Sequence, residues 1–184
     1  MNKIIILEGP DNTGKDTQQK LIIKNLYKEQ GLVFQTFHFS NCLFDTNKEH
    51  IDYSTKMYDD MFKTICLYNQ NNISAIFNRS HLGEAVYSPL YRKYDGNYIF
   101  NIENKYFEEN QLNSVYLIVF VGNKDIIFSR DDKLSFYKDA NGVQKEKEYF
   151  EKAFEKSKIP NKLKIDITGL NIQEVNNKIM KFLK

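Results

Sequence analysis

Ile4-Ile5-Ile6-Leu7-Glu8-Gly9-Pro10-Asp11-Asn12-Thr13-Gly14-Lys15-Asp16-Thr17-Gln18 decides the fold. An unbroken apolar stretch rich in β-branched residues favours a strand buried on both faces of a parallel sheet. Gly9 and Gly14 give the turn that follows backbone angles and close approaches that a Cβ would forbid. The loop between them can turn its N–H groups inward around an anion. A helix opening at Lys15 adds unpaired N–H donors and the positive end of its dipole, and Lys15 itself brings a mobile positive charge for terminal phosphates.

The spacing G-x-x-x-x-G-K is the Walker A pattern, without its usual last member, a Ser or Thr on magnesium: Asp16 stands there and Thr17 one place later. Gly9, Asn12, Thr13, Gly14, Lys15, Asp16 and Thr17 are therefore the expected cradle for the phosphates of ATP. Thr17 and Asp16 are the candidates for the Mg2+ shell, since a hard cation takes hydroxyl and carboxylate oxygens.

Outward from this run, strand and helix signals alternate. Strands are expected at Lys3 to Leu7, Leu32 to Phe39, Ile73 to Phe77, Val115 to Val121 and Lys162 to Ile167. Helices are expected at about Lys15 to Gln30 (inner side Leu21, Ile22, Leu26, Tyr27), Ile51 to Tyr68 (Met57, Met61, Ile65, Leu67), around Val86 and Tyr87, Ile99 to Leu112, Asp125 to Arg130 and Lys145 to Lys156. A closing helix starts at the Asn171/Glu174 capping box, with Ile172, Val175, Ile179 and Phe182 as its inner stripe. Asp131 to Val143 is polar, and Asn141-Gly142 reads as a turn. Five interleaved strands imply an α/β fold: a three-layer, doubly wound, five-stranded parallel sheet of the P-loop type, in one domain over residues 1–184. Ligands in such sheets sit beyond the carboxyl ends of the strands. That rim collects the phosphate loop, His38 to Asn41, Asn78-Arg79 and the segment after Val121.

Composition narrows the partners. With 26 basic against 24 acidic residues the formal charge is +2, which gives no bulk drive toward nucleic acid or anionic membranes. No apolar run is long enough to span a bilayer, and the first strand begins too early for a signal peptide. Cys42 and Cys66 lack metal-ligand spacing and read as buried thiols of a cytoplasmic protein. Only Arg79, Arg92 and Arg130 are arginines, so each is a candidate phosphate ligand. Of the three, Arg92 has most of the look of an ordinary surface residue.

With these residues in view, the chain resembles thymidylate kinases and the related deoxynucleoside monophosphate kinases of bacteriophages. The resemblance covers nearly the whole chain. It rests on Leu7 to Gln18, on Phe77-Asn78-Arg79 through His81-Leu82-Gly83-Glu84-Ala85-Val86-Tyr87, and on a lid-like segment from about Arg130 to Lys145. It implies transfer of the ATP γ-phosphoryl group to a deoxynucleoside 5′-monophosphate, dTMP foremost. Lys15, Arg79 and Arg130 would be the catalytic groups. Asp11, His38, Arg79 and Tyr87 would receive the acceptor, with Asp11 near its sugar and Tyr87 beneath its deoxyribose. Arg130 would also contact the donor, with Lys133, Lys138 and Lys145 as possible lid helpers. The family also implies a possible homodimer and small-molecule partners without nucleic acid.

The sequence departs from that family in three places. Asn78 stands where the family has Asp, His38-Phe39-Ser40-Asn41 replaces a phosphate-binding arginine, and Tyr58 aligns with another arginine. These departures keep other readings open: a kinase of another nucleoside or polynucleotide end, a non-catalytic nucleotide- or partner-binding descendant, or an ATPase switch, the last weakened by the lack of a clear Walker B acid.

Overall fold

The computed structural model describes residues 2–40, 42, 44–108 and 114–184. In chain order the elements are β1 (Ile4–Glu8), α1 (Lys15–Gln30), β2 (Phe34–His38), α2 (Asn47–Gln70), β3 (Ser74–Asn78), α3 (Leu82–Tyr87), α4 (Ile99–Glu108), β4 (Val115–Val121), α5 (Lys124–Phe128), α6 (Ala140–Lys156), β5 (Asn161–Asp166) and α7 (Ile172–Phe182). A π turn at Ser88–Arg92 and a 3-10 turn at Gly96–Tyr98 join α3 to α4. The strands form one parallel sheet in the order β2-β3-β1-β4-β5. This is the expected α/β architecture, with β1 at the centre.

The alternation of side chains along β1 assigns the two faces. Ile4 and Ile6 join Phe62, Phe77, Leu117 and Phe150 in a core under α2, α3, α4 and α6. Ile5 and Leu7 join Ile22, Ile118, Phe120 and Ile179 in a second core under α1 and α7. Both faces are covered, which explains why β1 and β4 are apolar without alternation. Helix α1 ends at Gly31, whose φ of 67° lets its N–H reach the carbonyls of Leu26 and Tyr27. Asn171 and Glu174 form the expected capping box on α7.

Several local expectations need correcting. Tyr27 is 61% and Leu67 55% exposed, because the buried stripes run through Ile22 and Leu26 on α1 and through Met61, Phe62, Ile65 and Cys66 on α2. Ile172 is exposed as well. Asn141-Gly142 is not a turn: it lies in the first turn of α6, which starts at Ala140 and is capped by Asp139, whose carboxylate accepts from the Gly142 N–H at 2.8 Å. The glycine serves packing, since a Cβ there would come within 2.7 Å of the Tyr137 Cβ. The helix expected from Lys145 therefore begins earlier, at Ala140. Cys66 is buried but Cys42 is exposed. The end of the helix expected to reach Leu112, and Asn41 on the rim, lie outside the described residues.

Candidate active site

Strands β1 and β3 end side by side, Leu7 against Asn78, and the phosphate loop and Arg79 follow from those two ends. Past β1 the chain turns sharply at Gly9. Its φ is 136°, and a Cβ there would stand 2.3 Å from the Phe120 carbonyl oxygen, so only glycine lets the loop cross β4 so closely. Asn12 (φ 62°) and Gly14 (φ 85°) complete the turn, and the carbonyl of Gly14 accepts the first helical hydrogen bond, from Gln18 N–H. Thr13 is buried and its hydroxyl donates to the Pro10 carbonyl at 2.8 Å, which stiffens the loop from inside.

Lys15 is also buried, and its Nζ donates to the carbonyls of Gly9 and Pro10, each at 2.7 Å. Burial lowers its pKa; Asp11 opposes this most, Arg79 adds to it, and Glu8 and Asp16 oppose it further. The ammonium is thus held at the cradle by weak carbonyl partners that a phosphate would outcompete.

Past β3 the chain reaches Arg79 with a φ of 69°, a conformation that costs energy for a residue with a Cβ and recurs at functional sites. Three contacts hold it there. The Arg79 N–H donates to Leu7 carbonyl at 2.9 Å. The Glu8 carboxylate then accepts from the Ser80 N–H (2.7 Å), the Ser80 hydroxyl (2.8 Å) and the Gly83 N–H (3.2 Å). The Arg79 guanidinium pairs with Asp11 at 2.8 Å, bringing a cation from β3 against the phosphate loop. Burial raises the pKa of Glu8, and its Ser80 hydrogen bond and Lys15 pull it back. The role of Glu8 in seating Arg79 escaped the sequence reading, because a charged residue closing an apolar strand carries no pattern of its own.

Asn78 donates from Nδ2 to Asp16 and, at 2.9 Å, to Gln19. Asp16, the departure from the Walker A pattern, and Asn78, one of the departures from the resembled family, thus touch each other. Asn12 reaches across to the segment between α5 and α6: its Nδ2 lies 3.3 Å from Asp131 Oδ1, 3.2 Å from Ser135 Oγ and 2.8 Å from the Tyr137 hydroxyl.

A cavity of about 450 Å3 opens between these parts. That is in the range of small-molecule sites. Asp11, Asn12, Gly14, Lys15, Asp16, Thr17, His38, Arg79 and Arg130 all line it, so most of the residues singled out by sequence meet in one place. Asn78, Asp132, Leu134, Ser135 and Phe136 complete the wall. Gly9 and Tyr87 do not line it. Gly9 shapes the loop, and Tyr87 is a buried ring 5.9 Å from Phe136. Thr13 opens instead onto a smaller neighbouring cavity of about 290 Å3, bounded by Thr17, Arg130, Ile167, Leu170 and Ile172. This second chamber explains the exposed Ile172, and sequence periodicity could not reveal it. Lys138 and Lys145 line a different recess beside Tyr91 and Phe136. Arg92 is no ordinary surface residue: its guanidinium donates to the buried Glu84 carboxylate at 2.9 Å, which also accepts from the hydroxyls of Tyr94 and Tyr98. His38 is exposed at the end of β2, and partial burial with Arg79 nearby lowers its pKa.

Among the described residues no three His, Cys, Asp or Glu side chains cluster as a metal-binding group. The donor set still suits magnesium, which is commonly held by one or two protein oxygens and the phosphates of its nucleotide. Asp16 and Thr17 are exposed to the cavity beside Lys15 and provide such oxygens.

No protein-family model matches the chain, and no curated protein matches it. Among solved structures, it is similar to the YorR protein of Bacillus subtilis, a structure in complex with phosphorylated GDP. The TM-score is 0.61 at 18% identity, covering 98% of this chain and 95% of that one. It is also similar to thymidylate kinase from Candida albicans, with a TM-score of 0.58 at 14% identity over 99% of this chain and 91% of that one. Among the described residues no helix is long and apolar enough to cross a membrane.

Proposed function

We propose that the protein is an ATP-dependent nucleoside monophosphate kinase acting on deoxynucleoside 5′-monophosphates, with dTMP as the first acceptor to test. The observation that carries this reading is the convergence of two phosphate-holding cations on one cavity from different strands. Lys15 belongs to the phosphate loop, and Arg79 is held in a strained backbone beside it. A nucleotide-binding switch needs only the first; a second cation fixed opposite the cradle suits an acceptor that also carries phosphate. Thymidylate kinase among the similar folds agrees with this assignment.

In the reaction an acceptor phosphate oxygen bonds to the γ phosphorus of ATP, the bond from that phosphorus to the β–γ bridging oxygen breaks, and ADP departs with the electron pair. Positioning and charge neutralisation dominate such transfers, and no side-chain nucleophile is needed. Lys15 leaves the Gly9 and Pro10 carbonyls for the donor phosphates. Arg79, loosened from Asp11, holds the acceptor phosphate. Arg130 stands between the two cavities, placed to touch donor phosphates from one side and the donor base from the other. The apolar side chains Ile167, Leu170 and Ile172 suit the smaller cavity to that base. Asp16 and Thr17 would hold magnesium, which would supply charge neutralisation for the donor phosphates. The lid segment excludes water from the site.

The test is diphosphate formation from magnesium-ATP with each common deoxy- and ribonucleoside monophosphate, with Lys15→Ala as the control. Lys15→Ala is expected to lower turnover by roughly 100-fold or more, the effect of removing one charge-stabilising group. ATP binding with no product from any acceptor would favour a non-catalytic descendant instead.

A further inference from the structure

One buried carboxylate takes no part in the scheme above. Glu146 lies on the apolar stripe of α6, between Val143 and Phe150, and is 1% exposed. Its Oε1 accepts from the Tyr91 hydroxyl at 2.6 Å, while its Oε2 is buried and has no hydrogen-bond partner among the described residues. A buried carboxylate oxygen without a donor is costly and uncommon, and calls for a group that fills it in the working complex.

The surroundings indicate what that group is. Tyr87, Tyr91 and Phe136 form an aromatic wall, with ring centroids 6.1 Å (Tyr87–Tyr91), 5.3 Å (Tyr91–Phe136) and 5.9 Å (Tyr87–Phe136) apart. Phe136 connects this wall to the cavity, which it also lines, and it remains half-exposed. The charged groups that act on Glu146 most strongly are Asp11, Lys15 and Arg79, all members of that cavity. Aromatic faces suit the C–H surface of a sugar ring, and an unfilled carboxylate oxygen suits a hydroxyl donor. A cation fits poorly, since Lys15 and Arg79 already bring positive charge and no metal-binding group of three acidic, His or Cys side chains occurs among the described residues.

We propose that Glu146 is a specificity residue of the acceptor subsite, its free Oε2 accepting a hydrogen bond from the acceptor's sugar hydroxyl beside the Tyr87–Tyr91–Phe136 wall. The inference rests on the kinase reading, and a deoxynucleoside 5′-monophosphate has one such hydroxyl, at the 3′ position. Tyr91 is the positioning residue that holds the carboxylate by its other oxygen. Burial pushes Glu146 up to about 7, with Asp11 adding to the rise and Tyr91, Lys15 and Arg79 pulling against it. Among the described residues the Tyr87 ring also acts on it, and its own pKa is raised well above its ordinary value, chiefly by burial and then by Glu146. A hydroxyl donated to Oε2 favours the ionised form, so acceptor affinity through this contact weakens as pH falls below about 7.

The experiment compares kcat/KM for a deoxynucleoside 5′-monophosphate with its 2′,3′-dideoxy analogue in the wild type, Glu146→Gln, Glu146→Ala and Tyr91→Phe. Wild type is expected to prefer the hydroxylated acceptor by roughly 10- to 100-fold, as for a hydrogen bond to a charged group. In Glu146→Ala that ratio should collapse to within about threefold, mostly through KM, with Tyr91→Phe in between. The fall in acceptor affinity between pH 8 and 6 should be shallower in Glu146→Gln, the acceptor phosphate's own titration being common to both proteins. Diphosphate formed with the same ratio in every protein would overturn this inference and leave the kinase reading standing. No diphosphate from wild type would overturn the kinase reading. Calorimetric titration of the same two monophosphates then decides the inference: a wild-type preference lost in Glu146→Gln supports it, and equal or absent binding overturns it.

Discussion

Replacing Glu146 by Gln should stabilise the protein above neutral pH, and the size of the effect follows from its burial. The carboxyl is raised from an ordinary 4.5 to about 7. A raised carboxyl contributes stability in its neutral form: the contribution is fully present below about pH 4.5 and is lost as pH rises through 7. Integrating between these values, ionisation costs the folded state about 1 kcal/mol at pH 5 and about 3 kcal/mol at pH 8. Glutamine keeps an acceptor for the Tyr91 hydroxyl and never ionises. It places an unpaired amide where Oε2 stood, a pH-independent loss of about 1 kcal/mol. The variant should therefore match wild type near pH 5 and exceed it by about 2 kcal/mol at pH 8. For a chain of this size that is roughly 5 °C in melting temperature. Asp11, Lys15, Arg79, Tyr87 and Tyr91 face the same group in both proteins, so their own titration cancels in the comparison. Thermal melts of both proteins at pH 5, 6, 7 and 8 are the assay. A shift that is the same at every pH, or a variant less stable at pH 8 than at pH 5 relative to wild type, would refute the buried-charge reasoning.

Gly9→Ala should cost about 3–5 kcal/mol from the combination of a positive φ and overlap with the Phe120 carbonyl, read as a fall of roughly 10 °C in melting temperature with loss of ATP binding; a melt within 2 °C of wild type, with ATP binding intact, would sink the steric argument for this turn. Asn12→Ala should loosen the lid, since one amide group contacts Asp131, Ser135 and Tyr137: tryptic cleavage after Lys133 should speed up about fivefold without nucleotide, for roughly 1 kcal/mol of lost hydrogen bonding, and an unchanged rate would show that the lid is held by other contacts.

Much of the fold was legible because the sequence carried two strong local signals. Apolar runs too continuous for a one-sided strand marked β1 and β4, and Gly31 and the Asn171/Glu174 box marked helix ends. What was not legible depended on tertiary context. Exposed Tyr27 and Leu67 each sit beside a buried residue, so one helical position of error reversed their reading. Asn141-Gly142 has turn chemistry, yet the glycine exists to let Tyr137 lie against α6. The cavity gathered Lys15, Arg79, Arg130, Asp11 and His38 as the rim argument required. Glu8 and Glu146 stayed hidden because a buried carboxylate is defined by partners remote in sequence: Ser80 and Gly83 for the first, Tyr91 for the second.

The same dependence on distant partners changes how the sequence departures weigh. Taken singly, Asn78 for an acid looks like a lost function, and with the absent arginines at His38 to Asn41 and Tyr58 it was the best support for a non-catalytic chain; Asp16 for a hydroxyl weighed less. In the folded protein the Asn78 amide donates to the Asp16 carboxylate, with Gln19 sharing the same amide. Two carboxylates at that distance would repel or share a proton; one carboxylate and one amide attract. The pair therefore puts one carboxylate, not two, at this point of the cavity, next in sequence to Lys15 and aimed by a neutral donor from β3. The two residues, 62 positions apart, complement each other. That removes Asn78 as a ground for the non-catalytic alternative and leaves it resting on the absent arginines, which the turnover assay with each acceptor tests.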